Sequence, residues 1–242
     1  MYSKSFVKPI ALLSLCVMFT IIAVLGLATN RDDRESLMDA ACTFDSLEPH
    51  CMDSNSIWTD GLAYYDSVLL QTRDTIFAVR SLLWDYWDLQ FAGAEHVETP
   101  DVILPSRILE KKKTGCVGVT WLALMLKEIR GVQVQAFLVP GHIYFSVNDF
   151  NMEPNRRGYS YSHEEYKRKY RAGFWEKDAQ SPLYKNQFLG IVAFNLGNAK
   201  LETDPKGALA WYRVASDFYP AYSKIGDNRR IALRMLSKER QR

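Results

Sequence analysis

The chain has 242 residues, of which 48% are hydrophobic, 24% are charged and 13% are aromatic. This composition is typical of a globular protein and excludes a disordered tail, a fibre and a protein with many membrane spans. The formal net charge is only +2. No strongly basic surface is indicated, so nucleic acid is not an expected partner.

A long apolar segment lies close to the N terminus. Residues 10–27 read IALLSLCVMFTIIAVLGL, and as a helix these 18 residues would reach about 27 Å, close to the ~30 Å of a bilayer core. The sequence therefore predicts a signal anchor over residues 1–30, with the domain facing outside the cytoplasm, periplasmic or extracellular. A cleaved signal peptide stays open, because Gly26 and Ala28 offer a small-x-small cleavage site.

Four cysteines bear on the compartment and on the chemistry. Cys42 and Cys51 lie in a polar segment, residues 31–57, which we predict to be a linker with a short helix. In an oxidising compartment these two can form a disulfide, and two unpaired thiols are the alternative. Because Cys16 lies in the apolar segment, Cys116 is left over and is a candidate reactive thiol.

Helical periodicity dominates the next part of the chain. Apolar residues recur at near-helical spacing over residues 58–90, which predicts two amphipathic helices that divide near Thr72–Asp74. The aromatic residues at 84–87 are expected to pack in the core. A broad apolar stripe and the terminating Gly131 predict a further helix over Cys116–Arg130.

Three short strands are predicted after that helix. Residues 132–139 alternate in the manner of a strand, residues 142–147 give a second strand, and residues 150–153 give a third. Asn148 and Asp149 supply the turn between the second and third strands. Together with the preceding helix, the pattern indicates an α+β core with a small antiparallel sheet.

Two further helical regions follow the strands. Ser162 and Glu165 fit a capping box, which predicts a helix to about residue 174. Within residues 181–242, the spacing of the second helix of a tetratricopeptide repeat is present at Ala208, Tyr212, Ala215 and Pro220. One such unit cannot bury its own apolar face, so we expect the tail to pack on the preceding domain or on a protein partner.

One combination of residues indicates catalysis: a cysteine at a helix start, a histidine at a strand start and an acid on the next strand. At Cys116 the helix N terminus presents unpaired N–H groups, which favour a thiolate and can receive an oxyanion. His142 can act as general base and then as general acid. Glu153 lies across the predicted hairpin and can orient the imidazole. These three are the predicted catalytic residues, and no metal or cofactor is expected.

Three motifs around these residues resemble the transglutaminase-like cysteine-protease superfamily: Gly115-Cys116-Val117-Gly118, Pro140-Gly141-His142 and Asn151-Met152-Glu153-Pro154-Asn155. The resemblance implies a papain-related α+β fold with Cys116 as nucleophile, His142 as base and Glu153 as orienting acid. The family most often has Asp in the third position, and papain-like enzymes use Asn. Asn155 is therefore the alternative orienting residue.

These predictions divide the chain into a transglutaminase-like domain over residues 58–180 and a tetratricopeptide-like helical tail over residues 181–242. The predicted fold is α+β, a papain-like or transglutaminase-like core of one helix plus a small antiparallel sheet, with the helical tail and an N-terminal membrane helix. The predicted function is thiol acyl transfer on protein or peptide substrates, as a peptidase, amidase or acyl transferase. The alternative is a dormant, membrane-tethered module that binds a protein partner through the tail.

Overall fold

Helices and two small sheets alternate along the chain in a computed structural model that describes residues 36–96, 98–170 and 182–239. The first half contains α1 (Leu37–Phe44), α2 (Ser56–Thr72), α3 (Thr75–Arg80), the π-helical segment Ser81–Tyr86, β1 (Gln90–Phe91), α4 (Pro105–Lys111) and β2 (Lys113–Thr114). The second half contains α5 (Cys116–Arg130), β3 (Val134–Val139), β4 (His142–Val147), β5 (Phe150–Met152), α6 (His163–Lys169), α7 (Lys185–Lys200), α8 (Pro205–Phe218) and α9 (Ser223–Glu239).

Helix α5 forms the centre of the core. Its predicted bounds are confirmed: Gly115 is the N-cap, and Gly131 ends the helix in the left-handed region with φ +66°. Every residue from Val117 to Leu126 is buried. The indole N–H of Trp121 donates to the Leu37 carbonyl oxygen at 3.1 Å, so the buried polar atom of this large side chain is satisfied.

The three-stranded sheet covers one side of α5. Its order is β3-β4-β5, all antiparallel, and Val139 pairs with His142 at the first turn. Asn148 and Asp149 have φ of +47° and +64°, which a tight two-residue turn requires, so the predicted turn is confirmed. All of β4 is buried, because alternate residues such as Phe145 enter the main core while Tyr144 enters a second apolar cluster on the opposite face.

The predicted fold is corrected by a second sheet and by the helices. β1 and β2 form a parallel pair, so the core is not one helix with a single antiparallel sheet, and the described chain is α+β with nine α-helices and two small sheets. Two-residue strands are too short to show an alternating pattern in a sequence. The predicted N-terminal membrane helix, residues 10–27, lies outside the described residues. Within the described residues no helix is long and apolar enough to cross a membrane.

Part of the predicted linker is a core element. Helix α1 buries six of its residues, and the Phe44 ring makes an edge contact with Trp121 at 5.9 Å between centroids. Cys42 and Cys51 form a disulfide, which decides between the two alternatives left open by the sequence. This bond ties the segment after α1 to the core, because Cys42 itself is fully buried.

The tail consists of α7, α8 and α9, which pack in sequence. A Cβ at Gly197 would clash with the Tyr212 ring, so this glycine permits the close approach of α7 and α8. The tail also packs on the preceding elements. The Trp211 ring of α8 lies 5.4 Å from the Phe44 ring, and the Phe188 ring of α7 lies 6.1 Å from the Trp121 ring, both measured between centroids. The tail therefore completes the core around α5, while its likeness to a tetratricopeptide repeat stays a prediction.

Candidate active site

Cys116 is the first residue of α5 and is half-buried. Its neighbour Gly115 caps the helix without a side chain and donates its N–H to the Val102 carbonyl oxygen at 3.0 Å. The N–H groups at the start of a helix have no partner within the helix, so they are available beside the thiol. Gly118 leaves room for packing and not for substrate, because a Cβ there would clash with the Val102 carbonyl oxygen and the Ile108 side chain.

His142 begins β4, directly after the turn at Pro140–Gly141. Gly141 has φ +69°, a conformation that favours glycine, and this sharp turn places the imidazole at the end of the sheet beside α5. The His142 side chain is only 3% exposed. Its Nε2 lies 3.0 Å from Oε2 of Glu153.

Glu153 follows β5 and caps the 3-10 turn Pro154–Arg156. Its second carboxylate oxygen, Oε1, accepts the backbone N–H of Asn155 at 3.0 Å. Its own N–H donates to the Tyr159 carbonyl oxygen at 2.8 Å, which fixes the backbone. Both carboxylate oxygens are therefore occupied, one by the imidazole and one by the turn. Asn155, the alternative orienting residue, contributes its backbone to Glu153.

The imidazole joins the thiol to the carboxylate. Burial alone would lower the pKa of His142, but hydrogen bonds to Cys116 and Glu153, together with the negative charge these groups can carry, outweigh burial and raise the pKa to about 9. Since Nε2 faces Glu153, Nδ1 is the ring nitrogen left for the thiol. The three predicted catalytic residues therefore lie at one site, since Cys116 and His142 line the same cavity and His142 bonds to Glu153.

The pKa of the Glu153 carboxylate shifts in the opposite direction from that of His142. Burial would raise the pKa of Glu153, but the hydrogen bond from His142, the positive charge on that ring and the Asn155 N–H outweigh burial and lower the pKa. The two shifts agree, because both favour a positively charged imidazole beside a negatively charged carboxylate. The pair is closed to solvent, since the Glu153 side chain is only 2% exposed.

A layer of three tyrosines, Tyr144, Tyr166 and Tyr170, covers this pair, and sequence reasoning missed it. Tyr170 follows α6 and stacks on the His142 ring at 4.5 Å between centroids, with an interplanar angle of 9°. Tyr166 of α6 stacks on Tyr144 of β4 at 3.6 Å. The available signal was the four-residue spacing of Tyr166 and Tyr170 after the capping box, which the structure confirms at Ser162.

The hydroxyl groups of the tyrosine layer are uncharged at neutral pH. Burial raises the pKa of Tyr166 and of Tyr170, and the negative charge of Glu153 raises both further, so the hydroxyls keep their protons at neutral pH. The Tyr166 hydroxyl lies beside the Glu153 carboxylate but makes no hydrogen bond of good geometry to any described residue. A low dielectric on this side strengthens the attraction between His142 and Glu153.

A cavity of about 120 Å³ lies on the other side of the imidazole, where Cys116 and His142 form part of its wall. The remaining lining residues come from the segment before α4, from α5, from β3, β4 and the turn between them, and from the tail: Glu98, Val117, Leu138, Gly141, Ile143, Ile191, Phe194, Asn195, Asn198 and Tyr222. The sequence did not predict that the tail would border the site. A substrate carbonyl in this cavity can reach both the thiol and the imidazole.

Metal coordination and the comparisons add no further residues. Across residues 36–96, 98–170 and 182–239, no three His, Cys, Asp or Glu side chains are grouped so that they could hold a metal ion. Comparisons with protein-family models, with curated proteins and with solved structures found no match for this chain.

Proposed function

We propose that the protein is a transglutaminase-like thiol acyl-transfer enzyme that acts on protein or peptide substrates as a peptidase, amidase or acyl transferase. The observation that most supports this is the chain of contacts from the Cys116 thiol through the His142 ring to the Glu153 carboxylate. A nucleophile, a base and a group that orients the base are the parts that nucleophilic catalysis requires. The motifs that resemble the transglutaminase-like family contain the same three residues.

Acylation is the first half of the proposed reaction. His142 already holds the thiol proton as an imidazolium, and the Cys116 thiolate attacks the substrate carbonyl carbon. As the S–C bond forms, negative charge develops on the carbonyl oxygen, where the N–H groups that begin α5 can stabilise it. His142 then gives its proton to the leaving amine, the C–N bond breaks, and a thioester remains on Cys116. Glu153 balances the positive charge of the imidazole throughout.

Deacylation uses the same groups. Water or a second amine attacks the thioester carbon, and His142 takes the proton from this new nucleophile. The C–S bond breaks, the proton stays on His142, and the thiolate–imidazolium pair is restored. Water gives hydrolysis and an amine gives transfer, so the acyl-enzyme on Cys116 is common to all three activities and is the species to detect.

The test uses p-nitrophenyl acetate as acyl donor for the full-length protein. We expect an acetyl thioester on the Cys116 peptide after an acid quench, detected by mass spectrometry, and continuous release of p-nitrophenolate. The Cys116→Ala variant should lose both signals. The His142→Gln variant should acylate at least about 100-fold more slowly, since general acid–base catalysis contributes roughly 10²–10⁴-fold. Cys16→Ser is the matched control, because it removes the other thiol outside the disulfide.

Equal acetylation rates in the wild type and in His142→Gln would contradict the proposal, because Cys116 would then be only an accessible thiol. That result would favour the alternative of an interaction module that binds a partner through its tail.

We also propose that the domain works in an oxidising compartment outside the cytoplasm. The support is the Cys42–Cys51 disulfide, because such bonds persist in secreted and periplasmic proteins and are rare in the cytosol. Thiol counting on denatured protein should find two reactive cysteines without reductant and all four with reductant. Four reactive thiols before reduction would contradict this location.

A further inference from the structure

Helix α7 of the tail forms the wall of the cavity that faces the reactive atoms. Ile191, Phe194 and Asn198 are spaced along α7 so that they share one helical face, and all three line the cavity together with Cys116. Ile191 is 3% exposed and Phe194 is 8% exposed, so their positions are fixed by packing. The tail therefore takes part in shaping the space beside the candidate nucleophile.

The cavity lining exposes more apolar than polar surface. Val117, Leu138 and Ile143 add to the apolar side chains of α7. Among the polar lining residues, the Asn198 amide donates to Glu98 at 3.1 Å and accepts the Tyr212 hydroxyl at 2.9 Å, and the Asn195 amide donates to the Ile191 carbonyl oxygen at 2.8 Å. Because these amides are committed to protein groups, the cavity offers apolar surface more than hydrogen-bond partners.

The size of the cavity limits what it can hold. An engineered apolar cavity of about 150 Å³ holds benzene, a molecule of six carbons. The cavity beside Cys116 measures about 120 Å³. By this comparison the space between its walls holds a group of about four or five carbons, and a longer chain would have to extend through the open side of the cavity or displace Ile191 or Phe194.

We propose that this cavity is the acyl-group subsite of the enzyme, that it takes a compact aliphatic acyl chain, and that Ile191 and Phe194 of α7 set the upper limit on chain length. The inference rests on the proposed function, because the occupant is the group whose carbonyl carbon Cys116 attacks. The corresponding substrate class is a peptide or amide whose acyl side carries a short aliphatic side chain.

The experiment compares p-nitrophenyl acetate, butyrate and octanoate as acyl donors for the full-length protein. The acylation step balances as before: the S–C bond forms on Cys116, the C–O bond breaks, and p-nitrophenolate leaves. One methylene in a fitted apolar pocket changes the specificity constant by about 10–200-fold. We therefore expect kcat/KM for butyrate to exceed that for acetate and that for octanoate by at least about tenfold.

Two variants on α7 separate a fitted subsite from a general preference. Ile191→Ala should widen the cavity. The ratio of kcat/KM for octanoate to kcat/KM for butyrate should then rise by at least about tenfold. Leu189→Ala is the matched control: Leu189 is also on α7 and 1% exposed, but it does not line the cavity, so its chain-length preference should equal that of the wild type. Asn195→Phe changes a half-buried lining residue, and it should lower kcat/KM for butyrate more than kcat/KM for acetate.

The outcomes distinguish the proposed acyl-transfer function from the proposed acyl-group subsite. If no ester acylates Cys116, the proposed function fails. If all three esters acylate Cys116 and the chain-length preference is the same in Ile191→Ala, Asn195→Phe and the wild type, the subsite proposal is overturned while the proposed function stands. Far-UV circular dichroism of each variant checks that it is folded, and iodoacetamide alkylation checks that the Cys116 thiol is still accessible, so a loss of butyrate activity can be assigned to the cavity.

Discussion

The two sides of His142 differ in what surrounds them. On the Glu153 side, the imidazole is covered by the tyrosine layer, and the carboxylate is held by a backbone turn. On the Cys116 side, the imidazole borders a cavity that the tail helps to form. One side is closed and fixes the orientation and charge of the ring, while the other leaves room for a reactant.

The chain meets the two requirements of the proposed general base in different ways. The closed side uses residues close in sequence: His142, Glu153, Tyr166 and Tyr170 lie within 29 positions. The open side brings α5 and α7 together, which are separated by the whole sheet and by α6. We infer that the closed side sets the rate of proton transfer and that the open side sets the choice of substrate.

The largest effect is expected from Glu153→Gln. The amide has nearly the same shape but carries no charge to stabilise the imidazolium, so acylation of Cys116 should slow by about 100-fold or more. Stopped-flow release of p-nitrophenolate measures this rate. Asn155→Ala is the matched control, because it keeps the backbone N–H that Glu153 accepts, and its rate should stay within about threefold of the wild type. A slow acylation in Asn155→Ala together with a near wild-type rate in Glu153→Gln would make Asn155 the orienting residue.

The closed side should also give a pH-dependent stability. The pKa of His142 is raised from 6.5 to about 9, so its contribution to the free energy of unfolding is full below pH 6.5 and is lost as the pH rises through about 9. The pKa of Glu153 is lowered, so its contribution is present above pH 4.5 and is lost as the pH falls further.

Urea denaturation of the wild type and of His142→Gln measures this contribution. The difference between their free energies of unfolding should be largest between pH 4.5 and 6.5 and should fall by on the order of 2 kcal/mol by pH 9.5. A difference that does not change with pH would show that the imidazole and the carboxylate do not form a charged pair.

A smaller effect is expected from the tyrosine layer. Tyr170→Leu removes the ring that stacks on His142, and an aromatic contact of this kind is worth about 0.5–1.5 kcal/mol, so acylation should slow by up to about tenfold. Tyr170→Phe keeps the ring and should retain most of the rate. The pKa of His142 should move in Tyr170→Leu, a readout that separates a positioning role from a general loss of stability. Equal rates in all three proteins would assign the tyrosine layer to packing alone.

The smallest effect on the imidazole is expected from the open side. Asn195→Ala changes a side chain that lines the cavity, and its own hydrogen bond goes to Ile191 within the helix. The pKa of His142 should therefore stay at the wild-type value, while the kcat/KM for p-nitrophenyl butyrate changes. A shift in the His142 titration would show that the two sides are not separate.

Local patterns allowed much of the closed side to be predicted. The bounds of α5 follow from an apolar stripe and a terminal glycine, and the hairpin that carries His142 and Glu153 follows from alternation and from the turn at Asn148–Asp149. Continuing the register of β4 and β5 places Glu153 opposite Tyr144 and His142 diagonally across on the same face, so the approach of His142 to Glu153 could be expected from the hairpin.

The remaining features depend on contacts between distant segments. The approach of α7 to Cys116 joins residues more than 70 positions apart, and no periodicity in either segment encodes it. The parallel pair β1–β2 is two residues long on each strand, below the length at which alternation has meaning. The sequence predicts a linker where helix α1 lies, because the ring contacts that bury its Phe44 are made by Trp121, Trp211 and Phe218, none of which is near it in sequence.

The most direct measurement is an NMR titration of the His142 ring in the full-length wild type, in Cys116→Ala and in Glu153→Gln, with His142→Gln used to assign the signal. Coupling of the ring to both neighbours predicts a pKa of about 9 in the wild type and a lower value in each of the two variants. A wild-type value near 6.5, unchanged by either substitution, would mean that thiol, imidazole and carboxylate do not act together.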